Sequence, residues 1–344
     1  MPWPLVKLIP KKTHIRFVRF AFFASFASIF AVLASFGSMV TAGYRENPIE
    51  VYQRAEGAPL QRLGVIVSHG FNLGIDFTGG TLVEIDAPEA VDLGAMREAL
   101  TELNVGEVQV QAFGDPHSAL FRLPPRPPGE AEDLMERARS AVAEVVPGVT
   151  FGRGEVVSAK VSDELFVSSL ISLGLAMLLV MVYIWVRFDL QFGYGAVLSL
   201  MHDAILTLGI FSVFRLEFTL PVIAGLLTVI GYSMNDTVVV FDRMRENFRK
   251  YKSMPPTEVI DLSINETLSR TLMTIATVLL ASASLYDFGG EAMRPCAICM
   301  LIGVLVATYY SGYIAAPALP LFGDRPGRPQ PKSGLMVRST QQQA

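Results

Sequence analysis

Six apolar runs of about 20 residues, the length that crosses a hydrocarbon core at ~1.5 Å per residue, constrain this chain more than any other feature. They lie at approximately 20–40, 166–186, 192–214, 218–240, 268–286 and 298–319. Over 344 residues, 51% hydrophobic against 17% charged content is too apolar for soluble domains alone. The chain therefore reads as a polytopic α-helical membrane protein with six transmembrane helices.

The charges orient it. Lys7, Lys11, Lys12, Arg16 and Arg19 precede the first run, and Arg243, Arg245, Arg249, Lys250 and Lys252 separate the fourth from the fifth. Arg325, Arg328, Lys332 and Arg338 follow the sixth, whereas the third-to-fourth and fifth-to-sixth connections hold only Arg215 and Arg294. The positive-inside rule then expects both termini in the cytoplasm. The first run, preceded by basic residues, is too long for a signal-peptide core and is expected to be an uncleaved anchor. A net charge of −4 carries no basic footprint for nucleic acid. Cys296 and Cys299 form a CxxC with no ligating partners nearby and read as small, membrane-facing residues.

Residues 44–162 are long enough to form a domain, and the orientation places them outside the membrane. Strands are expected at 81–86, 107–113, 118–123 and 149–157, with Asp92 capping a helix to Leu103 and a second, amphipathic helix over 130–145. The order β-α-β-β-α-β predicts a ferredoxin-like α+β extracytoplasmic domain between helices 1 and 2, a fold that by itself predicts no function. The division is thus 1–43 (N-terminus and first helix), 44–162 (external domain), 163–322 (helices two to six) and 323–344, a tail rich in Pro, Gly, Gln and Ser that is expected to be disordered. The basic segment 242–266 has amphipathic helical character and is expected along the inner membrane surface.

Ionisable groups inside the runs cost roughly 2.5 to 3.5 kcal/mol each, so each needs a reason to be there. His202 and Asp203 sit near the middle of the third run, Asn235 and Asp236 in the inner half of the fourth, and Arg270 near the start of the fifth. Counting helical rise, Asp236 lies roughly 27 Å below the outer end of its run, in the same inner layer as Arg270. An Asp that faces an Arg stays ionised; desolvated without that partner, it takes up a proton. Arg270, Thr274, Thr277 and Ala281 recur at i, i+4, i+7 and i+11, while Gly225, Thr228 and Ser233 fall near the Asp236 face. A permanent structural ion pair is the bland reading of Asp236 and Arg270, but the small hydroxylated residues beside them leave room for water and for helices to slide and favour a switchable proton site; for His202 and Asp203, a packing element and a proton relay remain equally open. No GxxxxGKS or GxxxxGKT loop, HExxH or GxSxG elbow occurs, so neither bound nucleotide nor hydrolytic chemistry is indicated.

Several segments are similar to one family. GIDFTGG (74–80), YSMNDTVVVFDRMRENFRK (232–250) and NETLSRT (265–271), with His202-Asp203 and DFGG (287–290), resemble the signature segments of the SecF family of bacterial protein-export subunits. The resemblance implies a non-enzymatic membrane subunit of the resistance-nodulation-division type in the bacterial inner membrane. Such a subunit works with SecD beside the SecYEG channel, amid membrane lipid, and uses the proton-motive force, with no cofactor, to promote late steps of preprotein translocation. It also implies that Asp236 is the proton-responsive carboxylate and Arg270 its partner. One departure is VSAKVSDEL (157–165) where the family pattern reads VGPxVGxEL, so a stiffer or more helical segment is expected there. Two other functions fit a chain of this shape: half of a proton-coupled small-molecule exporter, or a non-transporting assembly scaffold.

Overall fold

The computed structural model describes residues 13–41 and 70–313, apart from 107, 128, 153, 189 and 311. The basic cluster Lys7–Lys12, the beginning of the expected external domain, the end of the sixth run and the tail lie outside the described residues.

Helix α1 (Phe17–Thr41) is followed, after the segment that is not described, by the two-residue strand β1 (Asn72–Leu73) and a single turn, α2 (Ile75–Thr78). A sheet with two helices follows: β2 (Gly80–Asp86), α3 (Leu93–Thr101), β3 (Gln109–Phe113), β4 (Asp115–Leu123), α4 (Glu130–Val145), β5 (Thr150–Phe151) and β6 (Glu155–Val157). The strand order is β3-β4-β2-β5, with β6 also on β2, and all pairings are antiparallel. Alternation along β2 and β4 puts Val83, Ile85, Phe121 and Leu123 on one face, where they pack with Met96, Leu100, Leu134 and Val142 from the two helices. Arg122 therefore points to the opposite face. Asp92 caps α3 as expected, accepting from Gly94 N at 2.8 Å and Ala95 N at 3.1 Å.

The rest is helical: α5 (Ala159–Arg187), α6 (Leu190–Val213), α7 (Leu220–Lys250), α8 (Pro256–Phe288) and α9 (Arg294–Tyr310), with β7 (Glu217–Phe218) between α6 and α7. Five helices, α1 and α5 to α8, are long and apolar enough to cross a membrane; α9 is shorter over its described part. Over their apolar windows α6 and α7 are 56% and 61% buried, against 6% for α5 and 11% for α8. The two central helices thus carry the bundle core, and α5 and α8 turn most of their surface outward.

The segment between the fourth and fifth runs differs from the expectation. It is no separate helix along a surface: α7 continues to Lys250, α8 already begins at Pro256, and five residues turn between them. Pro256 at the first position of α8 fits a helix start, because its missing N–H would have no intrahelical acceptor there. The hairpin is held by Asn247, which donates to Ser263 Oγ (3.0 Å) and Glu266 Oε2 (2.7 Å), and by Arg243, whose Nε donates to Glu266 (2.7 Å). In the VSAKVSDEL segment, β6 ends at Val157 and Ser158 caps α5, so helix starts at once.

The sheet joins the bundle through the GIDFTGG segment. Gly79 and Gly80 have φ of 68° and 116°, and a Cβ on Gly80 would collide with the carbonyl of Leu123. Only glycine permits that turn into β2. β1 pairs in parallel with β7, and Gly74 N donates to Phe218 O at 2.8 Å. Phe77 packs against Phe218 and against Phe166 of α5, with ring centroids 5.8 and 5.7 Å apart.

Candidate functional site

The site is built where α1, α6, α7 and α8 meet. Close helix approach prepares it. A Cβ on Gly303 of α9 would come 2.5 and 2.6 Å from the methyls of Val229 on α7, and one on Gly225 would come 3.0 Å from Cys296 O. Small residues in the α7–α9 seam let the backbones pack at this distance. Cys296 and Cys299 are free thiols buried in that seam, 6% and 0% exposed, so they do not face the membrane as expected. The sequence suggested their small size but not the side of the helix that α7 covers.

Asp203 on α6 is 1% exposed. Its Oδ1 lies 3.2 Å from His202 Nδ1, and its Oδ2 accepts from Ser233 Oγ of α7 at 2.5 Å. On the other side His202 Nε2 shares a 2.5 Å hydrogen bond with Ser28 Oγ of α1. One turn beyond Ser233, the buried Asp236 accepts a 2.6 Å hydrogen bond at Oδ1 from Thr271 Oγ1 of α8. Side chains from four helices thus form a polar seam that runs from Ser28 through His202, Asp203 and Ser233, with Asp236 and Thr271 one helical turn away. In hydrocarbon such groups are costly unless they hydrogen-bond, and these do.

Arg270 is placed differently from the expected face-to-face pairing. Asp236 is 14 residues from the end of α7 and Arg270 is 14 residues from the start of α8, so both sit roughly 21 Å along their helices from the hairpin turn. The axial level is as expected, and the rotation is not. One residue turns a helix by about 100°, and it is Thr271, not Arg270, that points at Asp236. The buried stripe of α8 is Ile264, Thr267, Thr271, Ile275 and Ser282, whereas Arg270 and Thr277 are exposed. Arg270 instead lines a cavity of about 380 Å³ with Arg187, Asp242, Arg243, Glu246 and Glu266. There Arg187 pairs with Asp242 (3.2 Å) and Arg243 with Glu246 (2.5 Å) and Glu266 (2.7 Å). Among the described residues Arg270 has no ion-pair partner. Asn235 is exposed, turned away from Asp236 by the same 100°.

Sequence reasoning missed Ser28 and Thr271. A signal existed for each: Ala24, Ser28 and Ser35 form a small-residue stripe on α1, and Thr267, Thr271 and Ile275 recur every four residues on α8.

The fold and site together define a multi-pass helical membrane protein with buried carboxylates in its central helices and an α/β sheet attached between the first two described spans. Known families agree. Residues 138–325 match the family described as protein export membrane protein SecD/SecF, C-terminal, and residues 64–87 match the SecD/SecF GG motif. The chain is 41% identical over 272 residues to the protein translocase subunit SecF of Cereibacter sphaeroides, covering 77% of this chain and 84% of that one. It is 42% identical over 256 residues to SecF of Rickettsia rickettsii, covering 74% and 83%. The protein translocase subunit SecDF of Brucella abortus is 42% identical over 270 residues, which span 77% of this chain and 35% of that longer one. The crystal structure of SecDF from Thermus thermophilus, a translocon-associated membrane protein, superimposes with a TM-score of 0.73 at 30% identity, covering 93% of this chain and 39% of that chain. The chain belongs to the SecF family and is a membrane subunit of Sec protein export.

Proposed function

We propose that this subunit works with SecD beside SecYEG and uses the proton-motive force to promote late steps of preprotein translocation, with Asp236 as the group that takes up and releases the proton. The polar seam carries this reading. Asp236 is buried and accepts from Thr271 of α8, so gain or loss of a proton there changes a contact between α7 and α8. His202, Asp203 and Ser233 extend the seam to α1, so a change of charge at Asp236 is felt by four helices.

In this reading the protein lies in the bacterial inner membrane with both termini in the cytoplasm. It crosses six times, the sixth at α9, and its sheet is a ferredoxin-like domain on the outside. The strand order β3-β4-β2-β5 with two helices on one face supports that fold. Arg270 is exposed on α8, which turns most of its surface outward, and a guanidinium at a membrane helix surface needs a polar partner. Relatives in which SecD and SecF form one SecDF chain support SecD as its source. The role is transport rather than catalysis, and the driving ion replaces any cofactor. About 2.3 kcal/mol per charge per 100 mV, with about 1.4 kcal/mol per pH unit, is enough to bias a two-state packing of helices.

The test is preprotein translocation in inner-membrane vesicles with and without an imposed gradient. Asp236→Asn should assemble normally and lose only the gradient-driven component; an unchanged response to the gradient would return the seam to a purely structural role.

A further inference from the structure

Arg122 sits on β4, on the face of the sheet away from its helices, and is 9% exposed. A buried guanidinium in that position must be paired, and its partners lie largely outside the sheet. One nitrogen donates to Leu73 O of β1 at 2.8 Å and to Gln109 Oε1 of β3 at 3.2 Å; the other makes an ion pair with Glu217 of β7. β7 leads directly into α7. Asp76, in the turn α2, accepts through Oδ2 from Leu220 N, the first backbone amide of α7, at 2.7 Å. β1 adds Asn72, which donates to Arg215 O at 3.2 Å. The sheet is thus tied to the start of α7 by two neighbouring contacts, from Arg122 through β4 and from Asp76 through the glycine turn into β2. β6 ties it covalently to α5 through the Ser158 cap.

Two non-covalent ties at the start of α7 and one covalent tie at the start of α5 leave a body little freedom to swivel. We infer that Arg122 and Glu217 are positioning residues for proton-driven export: their ion pair, with the Asp76 cap, fixes the sheet to the outer end of the helix whose inner half bears Asp236, so that displacement of α7 is delivered to the sheet. The distance to be bridged is the roughly 24 Å of helix between Leu220 and Asp236. A rigid helix transmits movement over that length with little loss, whereas an unlatched loop at its end would dissipate it. The ion pair stays closed throughout the cycle. This inference rests on the proton-coupling reading for its functional consequence, but the latch itself does not.

Two measurements separate the two claims. The first uses spin labels at the exposed positions of Ser140 on α4 and Asp287 on α8, in a background with both native cysteines replaced, in the full chain assembled with SecD. Wild type should give one narrow distance distribution, and Arg122→Ala and Glu217→Ala should each broaden it, with the double variant no broader than either. An unchanged distribution would overturn the latch. The second measures translocation: the same two variants should lose most of the gradient-driven component and keep the gradient-independent one. In the double variant Arg122→Cys, Glu217→Cys, made in the same background, bridging the two introduced thiols with a short bis-methanethiosulfonate reagent should restore that component. Reduction of the bridge should remove it again. Loss of activity on cross-linking would show that the pair must open, and would overturn the inference. If wild type itself shows no gradient-driven component, the proton reading fails, and the latch stands or falls on the distance distribution.

Discussion

Replacing Thr271 by valine removes one hydroxyl from the polar seam while keeping the shape of the side chain. In the structure that hydroxyl donates 2.6 Å to Asp236 Oδ1 and so joins α8 to α7. Side-chain hydrogen bonds between membrane helices average about 0.6 kcal/mol and reach about 1.7. Thr271→Val should therefore destabilise the purified protein by about 0.6–1.7 kcal/mol, which at about 1.36 kcal/mol per tenfold change is about 3- to 18-fold in the unfolding equilibrium constant. The assay is reversible unfolding in detergent, with gradient-driven translocation into vesicles measured alongside. Thr271→Ser keeps the donor and should unfold close to wild type. If Thr271→Val is as stable as wild type and keeps the full gradient-driven component, the hydroxyl makes no working contact with Asp236 and the seam is wrong in its central contact.

Other perturbations test the packing around the seam. Gly303→Ala places a methyl on the Val229 side chain and should destabilise the purified protein by about 1–3 kcal/mol in thermal unfolding in detergent; Val229→Ala in the same chain should recover most of the loss. Phe121→Ala empties the centre of the sheet core and should cost about 3–5 kcal/mol, read as protease sensitivity confined to residues 80–157. Asp92→Ala removes the cap of α3 and should cost about 1 kcal/mol in the same assay, with export otherwise normal. Ser28→Ala should loosen α1 from α6, seen as faster disulfide capture between single cysteines on those helices, because His202 loses its hydroxyl partner.

Composition and run length made the membrane helices legible, because the bilayer sets a length that apolar runs must meet. The sheet elements were readable because β-formers alternate and Asp92, Gly114 and Pro124–Pro128 punctuate them. The levels of Asp236 and Arg270 were also readable, since helical rise is fixed. Their rotation was not. Which side of α8 turns inward depends on what α7 and α9 present to it, and the sequence draws the eye to the charge at Arg270 rather than to the neutral hydroxyl beside it. The hairpin of α7 and α8 was misjudged for a related reason. An amphipathic basic segment looks the same whether it lies on lipid or packs against its neighbour, and only Asn247 and Arg243 reaching Glu266 decide between them. The tie between Arg122 and Glu217 joins residues 95 apart and left no local pattern.

The central claim is that Asp236 carries the proton that couples the gradient to export. Infrared difference spectroscopy of the reconstituted subunit with SecD, taken between mildly alkaline and mildly acidic buffer, reads carboxyl protonation directly. One component of the protonated-carboxyl signal that grows on acidification should be missing in Asp236→Asn and present in Arg122→Ala; identical difference spectra from wild type and Asp236→Asn would contradict the claim.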